Sequence, residues 1–297
     1  MTQRPLSGVF TALVTPFLAD VDKIDWGAFE KLLASQLEAK VAGVVPCGTT
    51  GETPTLTEDE QLEIIRFTVK HAKGRTFILA GTGNNSTHDS IHLSKRAVDA
   101  GADAVMIVMP YYNRPSQAGL LRHVELIGKA ISVPIVLYNI PHRSAVSLEP
   151  ETTRCMLEVC PHIIAIKDAT GALSYSQDMI PQLPPQVSLL CGDDPLTVPL
   201  MSVGARGVIS VASNLYPRQV MAVVEDMEAG RFAEALRKHR LLMPVYRALF
   251  CEPNPQPIKA ALAQKGLMGP YVRSPLVEAS PECSQRLQAT LSAYEAA

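Results

Sequence analysis

His162-Ile163-Ile164-Ala165-Ile166-Lys167-Asp168 is a short apolar run that ends on a lysine beside an aspartate. It reads as a buried strand. Burying an ammonium is costly, so a lysine placed there is paired, neutralised or used chemically. A lysine whose pKa is lowered by its surroundings is a nucleophile toward carbonyl carbon. A structural lysine that reaches the strand end and pairs with Asp168 would give the same string. On this segment alone the two readings weigh equally.

Further apolar runs lie on either side, at residues 9–15, 43–47, 76–80, 104–109, 134–138, 187–191 and 207–211. With 163–167 they recur roughly every 20 to 35 residues, the spacing of a strand-plus-helix unit. Several are apolar on consecutive positions, as expected where both sheet faces are covered. Helix signals fill the gaps. Thr57-Glu58-Asp59-Glu60 is a capping box, followed by an apolar face of Leu62, Ile65 and Val69. Lys70, His71 and Lys73 suit its last turn, and Gly74 its stop. Ser86 with Asp89 opens a second helix that ends at Ala100-Gly101, and residues 117–131 form a third.

Eight strands alternating with helices predict an α/β fold, a (β/α)8 TIM barrel over residues 1–228. Residues 229–297 read as a C-terminal helical extension, helical throughout, with helices over 231–249, 257–265 and 282–296. No Gly- or Ser-rich linker separates them from the barrel, so the extension is expected to pack on it. An open doubly wound sheet would need a topological switch point, and none is visible.

The 297 residues carry 27 basic and 29 acidic side chains, a formal net charge of -2. That leaves no electrostatic footprint for nucleic acid or an anionic membrane. Met1-Thr2-Gln3-Arg4-Pro5 lacks the apolar stretch of a signal peptide. No run approaches the roughly 20 apolar residues of a membrane span. The expected location is cytoplasmic. Cys47, Cys155, Cys160, Cys191, Cys251 and Cys283 make no Cys-x-x-Cys pair and no zinc pattern. Reduced thiols are expected. Cys47, beside a glycine-rich turn, is a candidate reactive thiol, although a buried structural cysteine is the commoner case.

In such a barrel, chemistry sits where strands end and loops begin. The second strand runs into Gly48-Thr49-Thr50-Gly51-Glu52. Glycines let the backbone approach a ligand, amides cradle an anion, and two hydroxyls add donors. The anion is a carboxylate or a phosphate. A Walker A loop is excluded, because no Gly-Lys-Ser/Thr follows. Gly81-Thr82-Gly83 resembles the start of a dinucleotide fingerprint, but residue 86 is Ser. For both loops the plain alternative is a tight strand-to-helix turn.

Tyr138 ends the strand before Lys167, and adjacent barrel strands bring their ends together. A tyrosine beside an imine-forming lysine can move protons for the carbinolamine and the imine. The alternative is a core tyrosine with a satisfied hydroxyl. Arg143, just past that strand, can hold a carboxylate bidentately, or it is simply an exposed loop arginine. His88 and His92 share a helix face distant from the strand ends, so no metal site is expected. Asp193-Asp194 reads better as a hydrogen-bond acceptor pair than as a cation site.

Assembled in order, Gly48-Thr49-Thr50-Gly51-Glu52, Pro110-Tyr111-Tyr112-Asn113-Arg114-Pro115, Tyr138-Asn139-Ile140-Pro141, Ile166-Lys167-Asp168-Ala169-Thr170-Gly171, Gly192-Asp193-Asp194 and Glu252-Pro253-Asn254-Pro255 are distinctive together. Over essentially its whole length the chain resembles the dihydrodipicolinate synthase and N-acetylneuraminate lyase family of pyruvate aldolases, and within it the synthase branch. The resemblance implies a lyase that joins pyruvate to L-aspartate 4-semialdehyde in lysine and diaminopimelate biosynthesis. It implies no cofactor beyond a covalent imine between Lys167 and pyruvate. Tyr138, Thr49 and Tyr112 are implied as a proton relay, with Tyr112 coming from a neighbouring subunit of a homotetramer built from two tight dimers. Thr49 and Thr50 would hold the pyruvate carboxylate, Arg143 the acceptor carboxylate, and Ile209 a backbone carbonyl near the lysine.

Arg143 and the paired threonines favour the synthase over members that take sugar acceptors. Ser144-Ala145 departs from the Thr-Gly usual there. Asn85 and Tyr111 match the lysine-regulatory pattern of inhibited members, but Asp89, Glu58 and Gln61 do not, so weak or absent inhibition by lysine is expected. Two other activities fit more loosely: a pyruvate aldolase acting on a sugar acid or hydroxy-oxo acid, and a non-catalytic pyruvate-binding barrel. A phosphate-handling barrel fits least.

Overall fold

In the computed structural model of the chain, residues 5–296 are described. Residues 1–4 of the N-terminal stretch, on which the expectation of no leader partly rests, lie outside them. The strands are β1 (Gly8–Ala12), β2 (Gly43–Val45), β3 (Phe77–Gly81), β4 (Ala104–Val108), β5 (Ile135–Asn139), β6 (Ile163–Asp168), β7 (Ser188–Cys191) and β8 (Gly207–Ser210). They are parallel, pair in chain order, and close through β1 and β8 into a barrel. The helices are α1 (Trp26–Ala39), α2 (Glu58–Ala72), α3 (Thr87–Asp99), α4 (Gln117–Ala130), α5 (Pro141–Ser144), α6 (Pro150–Val159), α7 (Leu173–Met179), α8 (Thr197–Ser202), α9 (Pro217–Glu228), α10 (Phe232–Ala248), α11 (Gln256–Gln264) and α12 (Pro281–Glu295). The chain is a (β/α)8 barrel with a C-terminal helical extension.

Strand periodicity sorts the core into two shells. Phe10, Val45, Leu79, Met106, Val136, Tyr138, Ala165, Leu190 and Ile209 point into the barrel. Val9, Val44, Ile78, Val105, Leu137, Ile166, Leu189 and Val208 point outward and meet the helices at residues such as Leu33, Ile64, Leu120 and Val223. In β6, Ala165 is inside and Ile166 outside, so Lys167 is inside and Asp168 outside.

The capping box forms as read: Thr57 Oγ1 accepts from Glu60 N at 3.2 Å, and the Glu60 carboxylate accepts from Thr57 N at 2.8 Å. Ser86 caps α3 through Asp89 N. The end of α2 differs. The helix stops at Ala72, and Lys73 turns away to bond Gly101 O at 2.8 Å and Asp103 at 2.5 Å. A carboxylate just before β4 holds it more firmly than its own helix end does.

The extension is not helical throughout. Between α11 and α12 the chain runs without helix past Gly266, Pro270 and Pro275. Gly266 is left-handed at φ 68, and prolines break the amide ladder. This strap returns to the barrel: Arg273 bonds Val21 O, Asp22 O, Thr55 O and both carboxylate oxygens of Glu60. At the other junction, Asp226 of α9 pairs with Arg231 at 2.7 Å and with Lys238 of α10 at 2.6 Å.

Candidate active site

The C-terminal ends of the strands surround a cavity of about 410 Å³ lined by Thr49, Thr50, Tyr138, Arg143, Lys167 and Asn254, among others. Register builds its floor. Tyr138 of β5 pairs with Lys167 of β6, and both point inward. The ammonium lies 3.9 Å from the centroid of the Tyr138 ring. Lys167 is 6 % exposed and Tyr138 4 %. Asp168 faces the other way, accepting from Ser176 of α7 and from Thr170 N. Among the described residues no carboxylate lies within 4.0 Å of the Lys167 ammonium. Asp168 is therefore not its partner. Gly192 makes room for the lysine: a Cβ there would fall 3.0 Å from Lys167 Cε and 2.9 Å from the Ala169 methyl.

Thr49-Thr50-Gly51 forms a single 3₁₀ turn. The Gly51 and Glu52 amides bond Gly48 O and Thr49 O, while the Thr49 and Thr50 amides, first in the turn, have no carbonyl in the loop to bond. Those two amides and the Thr49 hydroxyl are the donors this wall of the cavity offers an anion. Thr50 Oγ1 accepts from Asn254 Nδ2 at 3.0 Å, and Thr15 Oγ1 donates to Gly51 O at 2.7 Å. Behind the turn, the Glu52 carboxylate meets Lys259 Nζ of α11 at 2.5 Å and accepts from Arg273 N at 2.9 Å. Lys259 also donates to Tyr271 O at 2.7 Å and sits 4.2 Å over the Phe17 ring. Burial pulls its ammonium down to about 8, against the opposing pull of Glu52.

Arg143, on α5, stands exposed at the cavity mouth, with one weak contact to Asn254 O at 3.5 Å. It is both an exposed arginine and a site-lining one. The Ser144-Ala145 departure leaves this turn intact. Ser144 Oγ donates to Ile140 O or Val146 O, and Ala145 takes the left-handed conformation at φ 59.

Tyr112 lies in neither this cavity nor its neighbour. It is 89 % exposed on left-handed backbone at φ 71. Ile209 is buried in the inner barrel, and Val211, two residues on, lines the cavity instead. Tyr111 lines an adjoining pocket of about 230 Å³ with Cys47, Thr53 and Met106; Asn85 lines neither pocket and receives Asn113 Nδ2 on its carbonyl at 2.8 Å.

Sequence reasoning passed over His142, Tyr246, Arg247 and Phe250, and read Asp193 only as an acceptor; all five also line the main cavity. Burial, with Arg143 adding, holds the His142 imidazolium below its ordinary range. Burial raises Asp193, aided by the Asp168 charge. Asp194 accepts from Ser210 Oγ, Val211 N and Ala212 N, the acceptor role read from its sequence. The Gly81-Thr82-Gly83 glycines serve packing. A Cβ on Gly81 would lie 2.1 Å from Cys47 O, and one on Gly83 2.3 Å from Val108 N. Burial pushes the Cys47 thiol far above its usual range, which disfavours the nucleophilic thiolate. Among the described residues no group of three or more His, Cys, Asp or Glu is placed to hold a metal, and no helix is long and apolar enough to cross a membrane.

A buried lysine against a tyrosine, sharing a cavity with unbonded amides, suits nucleophilic attack on a carbonyl carbon. The 4-hydroxy-tetrahydrodipicolinate synthase of Sorangium cellulosum is 47 % identical over 296 residues, covering 100 % of this chain and 98 % of the relative. The solved synthase of Methylacidiphilum fumariolicum SolV superposes with a TM-score of 0.96 at 44 % identity, covering 98 % of this chain and 96 % of that one. The dihydrodipicolinate synthase of Cyanidioschyzon merolae, solved with lysine bound, gives 0.95 at 36 % identity over 99 % of each chain. The family model described as the Dihydrodipicolinate synthetase family matches residues 5–294, and the chain belongs to that family.

Proposed function

We propose that the chain condenses pyruvate with L-aspartate 4-semialdehyde to 4-hydroxy-tetrahydrodipicolinate, in lysine and diaminopimelate biosynthesis, through an imine at Lys167. The observation that carries this is the inward Lys167–Tyr138 pair, 3.9 Å apart, facing the Thr49–Thr50 cradle across one cavity.

The Lys167 amine adds to the keto carbon of pyruvate, whose carboxylate rests on the Thr49 and Thr50 amides. Loss of water from the carbinolamine gives the imine. Removing a methyl proton gives the enamine, which attacks the aldehyde carbon of the semialdehyde. The amino group of the acceptor then adds to the imine carbon and displaces Lys167, closing the ring. One water leaves overall. Tyr138 moves the protons at the lysine, relaying through Thr49 and Tyr112 of the partner subunit. The exposure of Tyr112 leaves it free to enter a second copy's site, and a homotetramer of two tight dimers is the assembly this reading takes. Arg143 holds the acceptor carboxylate at the mouth. Ile209 contributes a main-chain carbonyl at the barrel wall.

The enzyme works in the cytoplasm and needs no cofactor beyond the imine. Lysine inhibits it weakly or not at all at the site that includes Asn85 and Tyr111. Gln61 is spent on Leu56 O and Thr53 O, and Glu58 pairs with His92 and Arg96. A micromolar inhibition constant for lysine would overturn that statement.

The test is turnover of both substrates through a coupled dihydrodipicolinate reductase, with Lys167→Ala as control. Robust turnover that the variant loses is the expected result. A borohydride-trapped pyruvate adduct at Lys167 without turnover would shift the acceptor to another aldehyde, as in an aldolase for sugar or hydroxy-oxo acids. Absence of any adduct would leave a pyruvate-binding barrel.

A further inference from the structure

Glu52 follows the Thr49–Thr50 turn directly and stands in the left-handed region at φ 59. A residue other than glycine stays there only when its surroundings over-determine it. They do so here. Its amide closes the turn on Thr49 O at 3.1 Å, and its carboxylate is fixed by Lys259 and by the Arg273 amide. The side chains of Glu52 and Lys259 are 1 % and 0 % exposed. Any rotation of Glu52 therefore moves Thr49 with it. The anchor comes from α11, 207 positions along the chain, and Asn254 just before that helix holds Thr50.

A buried ion pair is weak evidence for stability, because desolvation offsets its attraction. What it supplies is a fixed direction and distance. An apolar pair of the same volume would fill the space but leave the carboxylate-binding turn free to shift. We propose that Glu52 and Lys259 are positioning residues, and that their ion pair holds the Thr49–Thr50 turn in the geometry that receives the carboxylate of the keto acid. This rests on the reading that the turn binds the pyruvate carboxylate. Neither residue lines the cavity, so their effect is carried through the turn.

The experiment measures the pyruvate concentration that half-saturates borohydride trapping at Lys167, together with KM for both substrates. The proteins are the parent, Glu52→Gln, and the double variant Glu52→Gln with Lys259→Met. The double variant removes both charges, so no buried charge is left unpaired if the single variant fails to fold. The expected result is a folded double variant whose pyruvate half-saturation rises about tenfold, with kcat at saturating pyruvate and KM for the aldehyde changed less than about threefold. A role in stability alone would lower the melting temperature and leave this split absent. A folded double variant with the parent's half-saturation overturns the proposal. If the parent traps no pyruvate at all, the reading of the site fails and the proposal falls with it.

Discussion

Lys167 and Asp168 are neighbours in sequence and face opposite sides of the barrel wall. Successive strand side chains alternate, so the lysine goes to the cavity and the aspartate to Ser176 of α7. The string Ile166-Lys167-Asp168 showed that an ammonium would be buried. It did not show which way it points, because that depends on where the strand begins. Tyr138 was legible for the same reason that Lys167 was: both end apolar runs in consecutive units. Arg247 and Tyr246 were not, since they lie on a helix of the extension, and only the folded chain brings that helix over the barrel mouth. Arg143 carries a test at this scale. Arg143→Ala should lower kcat/KM for aspartate semialdehyde about 100-fold, the loss expected for a charged hydrogen-bond pair. Imine formation with pyruvate should stay unchanged, as read by the adduct yield at fixed pyruvate. Equal loss in both would assign Arg143 to the keto acid instead.

At the scale of elements, caps and periodicity were readable because they are local. The α2 capping box and the Ser86 cap form through atoms three residues apart. Lys70, His71 and Gly74 end α2 as read, and only Lys73 differs, because it answers to Asp103, 30 positions away. The strap between α11 and α12 was misread because its purpose, docking Arg273, is also distant. The packing of α4 on α3 makes a pH-dependent prediction. His123 of α4 is buried, with Nδ1 on Thr87 Oγ1 at 2.9 Å and no partner for Nε2 among the described residues. Burial holds its pKa at about 4, below the ordinary 6.5. Between those values the unfolded chain binds the proton and the folded one does not. Stability from this group is therefore full above pH 6.5 and falls as pH drops toward 4. The contribution is about 3 kcal/mol. His123→Asn should flatten that acid limb in urea unfolding measured from pH 7 to 4. An unchanged limb would place the acid sensitivity elsewhere.

For the whole molecule, alternation of strands and helices was sufficient to infer a closed barrel, because eight such units leave few ways to bury every face. How the far end of the extension completes the barrel could not be read, since the contacts of Asn254, Lys259 and Arg273 with the loops after β1 and β2 span more than two hundred positions. Arg273 is the clearest case. It reaches the loops after β1 and β2 and the start of α2 at once. Its partner Glu60 is held below the usual carboxylate range, chiefly by that guanidinium. That stability is present above the ordinary Glu pKa and is lost as pH falls through the lowered one. Arg273→Ala should cost about 3 kcal/mol at neutral pH, read by urea unfolding, with a smaller penalty in acid. A loss under 1 kcal/mol would make the strap a passive cover. The same contact sets an order in time. Synthesis proceeds from the N-terminus, and Lys167, Tyr138, Thr49 and Arg143 all emerge well before residues 259 and 273. A nascent chain thus carries those four side chains while the Thr49–Thr50 turn still lacks the anchors that Lys259 and the Arg273 amide give Glu52. On the proposed function, the lysine meets pyruvate in a finished site only after residue 273 has been made.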